Sequence, residues 1–194
     1  MFRFLNLILI NESNKIFLII IISLIISVKA YSNEELIKKI KQGGKIIFIR
    51  HAYAPGNGDP LNFDINDCLT QRNLNGEGKI QAKLIGLFFV KESVPIDKVI
   101  SSEWCRCKET AYIAFNGKYQ INSFLNSFYD KKFSKNKENQ IKELKKYVNN
   151  WNGEKNLIFI THYVVISEIL NVYPSSGEIV ISDKNYNVIG NFNF

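Results

Sequence analysis

Proline, cysteine and histidine are scarce in this chain: its 194 residues include four prolines, three cysteines and two histidines. So few prolines, with eleven glycines, exclude a collagen-like repeat and leave no Pro- or Gly-rich linker to split the chain. Three cysteines are too few for a small domain stapled by several disulfides. The Cys105-x-Cys107 pair also lacks the further soft ligands of a tetrahedral zinc site. Acidic charge is in deficit, 18 residues against 25 basic ones, but Arg3, Lys15 and Lys29 against Glu12 place +2 of the net +7 in the first thirty residues. The remaining lysines are scattered, with no basic stripe and no interleaved aromatics, which argues against a nucleic-acid partner. What is left, 46% hydrophobic and 22% charged, is ordinary globular composition at the length of one domain with some excess.

The excess is N-terminal. Ile16 to Val28 is an uncharged apolar run of thirteen residues, preceded by Lys15 and followed by the small-residue pattern Val28-Lys29-Ala30. That is the length of a signal-peptide core and short of the roughly 18 residues that span a bilayer. Residues 1–30 are therefore expected to be a signal peptide cleaved after Ala30, and 31–194 the functional domain. The alternative is an uncleaved anchor, because Phe4 to Ile10 adds apolar length. Either way the body faces an oxidising compartment, and any membrane contact runs through this segment alone.

Past the signal, Ser32-Asn33-Glu34-Glu35 is a capping-box sequence that opens a short helix closed by Gly43-Gly44. Three continuous apolar runs of strand length follow, at residues 45–49, 98–100 and 157–160, as suits strands buried on both faces. Helical patterns alternate with them: Glu77 to Lys91, with Ile80, Leu84, Leu87 and Phe88 apolar, then Trp104 to Phe115, Lys137 to Val148 and Val164 to Leu170. Strand alternating with helix predicts an α/β fold, a mostly parallel central sheet covered by helices. Glu178 to Phe194 reads as two short β segments around Asp183-Lys184-Asn185, and Lys131 to Asn139 as a solvated loop opening a helix.

In such a sheet, ligands bind beyond the carboxyl ends of the strands. Both histidines stand there: the first run ends in Arg50-His51 and the third in Thr161-His162, while the second ends in Ser101-Ser102-Glu103-Trp104-Cys105-Arg106. Two guanidiniums, Arg50 and Arg106, match the oxygens of a phosphoryl group, and imidazole is a nucleophile or acid/base near neutrality. A lone histidine after a strand is most simply structural. Two of them, sharing a sheet edge with two arginines, point instead to an anion site built around a nucleophilic imidazole.

Arg50-His51 with Asn57 seven residues after the arginine resembles the signature of the histidine phosphatase superfamily, also called phosphoglycerate mutase-like. Leu74-Asn75-Gly76-Glu77-Gly78-Lys79-Ile80-Gln81-Ala82 is similar to that family's Leu-Thr-x-x-Gly-x-x-Gln-Ala segment. Ser101-Ser102-x-x-x-Arg106-x-x-x-Thr110-Ala111 is similar to its second-arginine motif, and His162 stands where its second histidine does. The resemblance spans about Lys45 to Leu170. More narrowly, residues 52–60, Thr70-Gln71-Arg72-Asn73 and Trp104-Cys105-Arg106-Cys107 look like a bacterial subgroup of exported phosphatases, which would place the protein in the periplasm or anchored facing it. The resemblance implies a three-layer α/β/α fold. It implies a phosphatase that hydrolyses phosphate monoesters through a phosphohistidine on His51, with Arg50, Arg106 and His162 around the phosphoryl oxygens. No metal or cofactor is then called for, and the partner is a small phosphorylated substrate.

Departures from the pattern matter too. Ala52 and Tyr163 follow the two histidines where the family usually has glycine, and Tyr163 would reshape the pocket mouth. Ser127 stands where the family's acid is often a glutamate, so the general acid is unassigned among Asp130, Asp59, Asp64 and Glu103, the last of which reads equally as a helix-start carboxylate. The missing glutamate and the signal count against a phosphomutase and leave open an inactive phosphate-binding module. Residues 52–67 form a long turn-rich loop expected to face substrate, with Asn57 in it and Arg72 beyond it either extending the anion pocket or making a surface salt bridge. In an exported chain Cys68, Cys105 and Cys107 suggest one disulfide and one free thiol. A bridge from Cys68 would pin that loop to the Arg106 segment.

Overall fold

The computed structural model describes residues 33–194, so the expected signal peptide and the Ser32 cap lie outside the described residues. The chain divides into two units, Met1–Lys38 and Lys39–Phe194, and the architecture below is that of the second. A helix, α1, covers 33–41, of which 39–41 belong to this unit. The run of isoleucines after Gly44 becomes β1 (Ile46–Arg50), buried on both faces up to Arg50. The other apolar runs become β2 (Ile96–Ser101) and β4 (Asn156–Thr161), the latter buried at every residue. A two-residue strand without a sequence signal, β3 (Gln120–Ile121), extends one edge. At the other edge the expected tail segments form β5 (Ile179–Ser182) and β6 (Val188–Phe192). The strand order is β3-β2-β4-β1-β5-β6, parallel from β3 to β1, with β5 antiparallel to β1 and β6 antiparallel to β5.

Four helices lie between the strands: α2 (Gly76–Lys91), α3 (Cys105–Ala114), α4 (Lys137–Asn149) and α5 (Tyr163–Leu170). Because strand side chains alternate, Ile46, Phe48, Leu157 and Phe159 face one side, where they join Leu144 and Val148 of α4 and Val165, Ile166 and Leu170 of α5 in the main core. Phe48 and Phe159 pack with ring centroids 5.4 Å apart. At the foot of the sheet Asn156 is fully buried yet satisfied: its Nδ2 donates to Ile40 O (2.7 Å) and Pro95 O (2.8 Å), and its Oδ1 accepts from Lys45 N (3.1 Å).

α2 packs through a face of small residues with Ile85 and Phe89, not through the one that carries Ile80, Leu84 and Leu87. Ile80, Leu84 and Leu87 are exposed, whereas Gly78, Ala82, Ile85, Gly86 and Phe89 are buried. The reason is close approach: a Cβ at Gly86 would overlap the carbonyl oxygen of Ala114 in α3, and one at Gly78 would overlap that of Tyr53. Small residues four apart let α2 lie against its neighbours backbone to backbone, which apolar periodicity does not report. The Lys131 to Asn139 segment also differs from a plain solvated loop. It winds as a 3-10 helix over Lys131–Asn136 and buries part of Phe133 against Phe63 and Trp104.

Candidate active site

The sheet register builds the site. β1 and β4 run parallel with Arg50 opposite Thr161, so the next residues, His51 and His162, emerge side by side with ring centroids 5.5 Å apart. The His51 N–H donates to Thr161 O at 3.0 Å, which fixes the start of the loop. β2 ends one strand further over, and Ser102 leads into α3, whose first turn carries Arg106.

His51 is buried, and its Nδ1 lies 2.8 Å from Ala52 O. A carbonyl only accepts, so Nδ1 carries the proton and Nε2 keeps its lone pair. Arg106 Nε donates to that lone pair at 3.2 Å. His162 Nε2 sits 2.9 Å from Ser102 Oγ, which itself donates to Asn126 Oδ1 at 3.1 Å. The hydroxyl therefore accepts from His162 Nε2–H, leaving Nδ1 as the acceptor turned toward Arg106, whose NH2 is 3.5 Å away. Asn126 is held in turn by Glu103, whose carboxylate accepts from its Nδ2. Glu103 thus orients His162 through two intermediaries and lies outside the cavity.

Burial first, and the positive charge of Arg106 second, hold both imidazoles well below their ordinary value of 6.5. Arg72 and Arg50 add to the lowering at both rings, the hydrogen bond to Ala52 O opposes it at His51, and His51 adds to it at His162. In the unfolded chain both rings take up protons as the pH falls through about 6.5, while in the folded chain they do not. Stability is accordingly full above that pH and falls below it, by up to about 1.4 kcal/mol per pH unit for each ring, until the folded-state value is reached. Urea midpoints compared at about pH 7.5 and about pH 5 check this, and equal midpoints would refute it.

Three arginines and one carboxylate surround the rings. Arg106, 3% exposed, pairs with Asp59, NH1 to Oδ1 at 2.7 Å and NH2 to Oδ2 at 3.3 Å. Asp59 also accepts from Trp104 Nε1 (3.0 Å) and from the Arg72 backbone N–H (3.1 Å). Burial alone would raise the Asp59 carboxyl, but the hydrogen bond and charge of Arg106 more than offset this and keep it below the usual carboxylate range. Arg50 NH1 donates to Pro174 O (2.8 Å), its guanidinium lies 5.4 Å over the Tyr163 ring, and its Nε is buried without a hydrogen-bond partner. Arg72 takes the pocket option of its two readings: it lines the cavity and braces the loop by donating to Gly58 O and Ala54 O.

These groups line a cavity of about 240 Å³ together with Asn57, Ser127, Asp130 and Tyr163. Its far wall is aromatic: Trp104, Tyr129 and Phe133, with Phe63 stacked on Trp104 at 5.0 Å. Asp64 is not part of it. Its carboxylate accepts from Asn66 N in the outer loop. Asp130 is exposed at the rim and caps the Lys131–Asn136 turn by accepting from Lys132 N at 3.0 Å. Tyr53, although next in sequence to the pocket residues, faces a groove beside α2 instead. Cys68 and Cys105 form the disulfide, with Cα atoms 5.7 Å apart. Gln71 reinforces it by accepting from Cys105 N (2.9 Å) and donating to Asp64 O and Ile65 O. Cys107 is the free thiol, buried 3.5 Å from His162 Nε2, with burial pushing it up to about 12. Among the described residues, no group of three or more His, Cys, Asp or Glu is placed to hold a metal ion.

Sequence reasoning missed Asn126, Tyr129 and Phe133. Asn126 acts only through Ser102, and the aromatics sit in a polar stretch with no periodicity to mark them.

The architecture is that of the phosphoglycerate mutase-like proteins, an α/β fold with a mostly parallel six-stranded sheet. Among solved structures, the chain resembles the protein histidine phosphatase SixA complexed with tungstate: TM-score 0.51, 16% identity, 74% of this chain and 92% of that one. It also resembles a phosphoglycerate mutase from Thermus thermophilus: TM-score 0.55, 14% identity, 77% of this chain and 99% of that one. A third is a mycobacterial glucosyl-3-phosphoglycerate phosphatase complexed with VO3: TM-score 0.51, 10% identity, 71% of this chain and 91% of that one. No protein-family model and no curated protein matches the sequence.

Proposed function

We propose that the protein is a phosphatase that hydrolyses small phosphate monoesters through a phosphohistidine on His51, without a metal ion. The observation that carries this reading is the His51 ring: Nδ1 is committed to Ala52 O, and the Nε2 lone pair is turned toward the Arg106 guanidinium inside the cavity. In the first step Nε2 attacks phosphorus in line and the ester oxygen departs. In the second, water attacks the phosphoryl group and returns Nε2 to its starting state, so that one difficult displacement becomes two easier ones. Charge on the three equatorial oxygens is met by Arg106 and by Arg50, whose buried Nε has no protein partner, while the His162 ring, its Nδ1 lone pair turned toward Arg106, positions that guanidinium. Asn57, Arg72 and Tyr163 border the substrate. Two of the structural neighbours, both phosphatases, carry tungstate or vanadate oxyanions, which supports the same class of ligand here.

The domain acts after export, in the periplasm, once the N-terminal segment has directed it there. The Cys68–Cys105 pairing supports an oxidising compartment. The direct test is the adduct. The protein is mixed with excess 4-nitrophenyl phosphate and a chelator, quenched with alkali and digested. A phosphoryl group on the peptide containing His51 is the expected result. An adduct elsewhere, or turnover that stops with chelator and returns with a divalent cation, would overturn the reading.

A further inference from the structure

The phosphohistidine route leaves the departing alkoxide without a proton donor. Of the four acidic residues near the site, Glu103 is engaged by Asn126, Asp64 lies in the outer loop and Asp130 caps an exposed turn at the rim. Asp59 alone of these touches the cationic centre. One guanidinium separates it from the nucleophile, because Arg106 donates from Nε to His51 Nε2 and from NH1 and NH2 to the two Asp59 oxygens.

We propose that Asp59 is the general acid and then the general base of the reaction, freed for that role when the substrate's phosphoryl oxygens take over its hydrogen bonds from Arg106. The proposal rests on the phosphatase reading above. A phosphoryl group within reach of His51 Nε2 is within reach of the same guanidinium, so substrate and carboxylate compete for its N–H donors. When the substrate wins, Asp59 loses its counter-ion beside a new anion, and both changes favour its protonated form. It does not leave the cavity, because the Arg72 backbone N–H and Trp104 Nε1 still hold it. A phosphomonoester loses its second proton near about pH 6 and so arrives partly as the monoanion, which supplies the proton. In the first step the P–Nε2 bond forms, the P–O bond to the leaving group breaks with its electron pair, and that oxygen takes the Asp59 proton. In the second, water attacks phosphorus and gives its proton to the Asp59 carboxylate as the P–Nε2 bond breaks and its pair returns to the ring. Asp59 then returns that proton to the departing phosphate, so ester monoanion and water give alcohol and phosphate monoanion, and Asp59 is again the carboxylate paired with Arg106.

A general acid matters in proportion to how poor the leaving group is, whereas a residue that only positions Arg106 matters equally for every substrate. The experiment compares Asp59→Asn with wild type on 4-nitrophenyl phosphate, whose leaving group has a pKa of about 7, and on phenyl phosphate, at about 10. Asp59→Asn is expected to lose about 10²-fold or more in kcat on phenyl phosphate and less than about tenfold on 4-nitrophenyl phosphate. Inorganic phosphate should inhibit the variant more tightly than wild type, since its competitor for Arg106 is gone, and that inhibition also reports an intact pocket. Equal losses on both esters, or the selective loss appearing in Asp130→Asn instead, would overturn the assignment to Asp59 while leaving the phosphatase reading in place. Failure of the wild type to turn over either ester would overturn both.

Discussion

His51→Ala is expected to lower kcat/KM for 4-nitrophenyl phosphate by about 10⁴-fold or more while leaving inorganic phosphate able to bind. Removing a nucleophile removes the covalent step itself. What survives is the modest catalysis that charge and positioning give to direct attack by water. Binding is carried by other groups. The substitution also removes the acceptor of Arg106 Nε, which becomes available to phosphate. Activity and affinity should therefore separate. Steady-state kinetics and phosphate inhibition on the same preparation measure this, and residual turnover within about tenfold of wild type would mean that the phosphoryl group never resides on His51.

Arg106→Ala should lower both rate and stability. The guanidinium donates to Nε2 of His51, the proposed nucleophile, and an arginine that stabilises phosphoryl transfer is worth about 10³ to 10⁵ in rate. It is also the partner of Asp59, whose side chain is 13% exposed. Left alone, that carboxylate has lost its compensating charge, and breaking such a pair costs on the order of 3 kcal/mol, tempered by the remaining bonds from Trp104 and Arg72. Lysine is not a substitute. A single ammonium cannot grip both carboxylate oxygens and also reach His51 Nε2. Arg106→Lys is thus expected to retain little activity, and Arg106→Ala combined with Asp59→Asn to be more stable than Arg106→Ala alone, since the orphaned charge is then removed. Kinetics and urea midpoints across the set decide it; near-normal turnover in Arg106→Lys would show that bidentate contact is unnecessary.

What the sequence disclosed and what it concealed divide along a physical line. Buried parallel strands must be apolar on both faces, so β1 and β4 stand out as uninterrupted runs and β2 as a short one after the exposed Asp97 and Lys98, and the residues that follow them fall at the sheet's carboxyl edge without further information. His51, His162 and Arg106 were legible for that reason. Periodicity misreported α2, because contact there is made by Gly78, Ala82 and Gly86, whose small size is what allows it. The aromatic wall was hidden because Phe133 lies in a lysine-rich stretch and packs against Phe63 and Trp104, distant in sequence. The roles of Asp59 and Glu103 depend on which nitrogen each faces, and no spacing rule carries that. The cysteine pairing was bounded to Cys68 with one of two partners. Cys105 is the one turned toward the loop, while Cys107 is turned inward to His162.

The bridge between Cys68 and Cys105 joins residues 37 apart in sequence, and every strand of the parallel sheet lies outside the segment it closes except β2. Closing a loop of that size removes conformational freedom from the unfolded chain worth roughly 3 to 4 kcal/mol. The apolar strands and their helices supply a core of their own, so the chain's architecture and its candidate site draw on separate sources of order: one is hydrophobic and available in any compartment, the other is oxidative. A chain made where thiols stay reduced would still have its sheet, and both histidines at the sheet's edge, but the segment that carries Asp59 and Arg72 would be held there without a covalent tie, by hydrogen bonds, the Asp59–Arg106 pair and the stacking of Phe63 on Trp104.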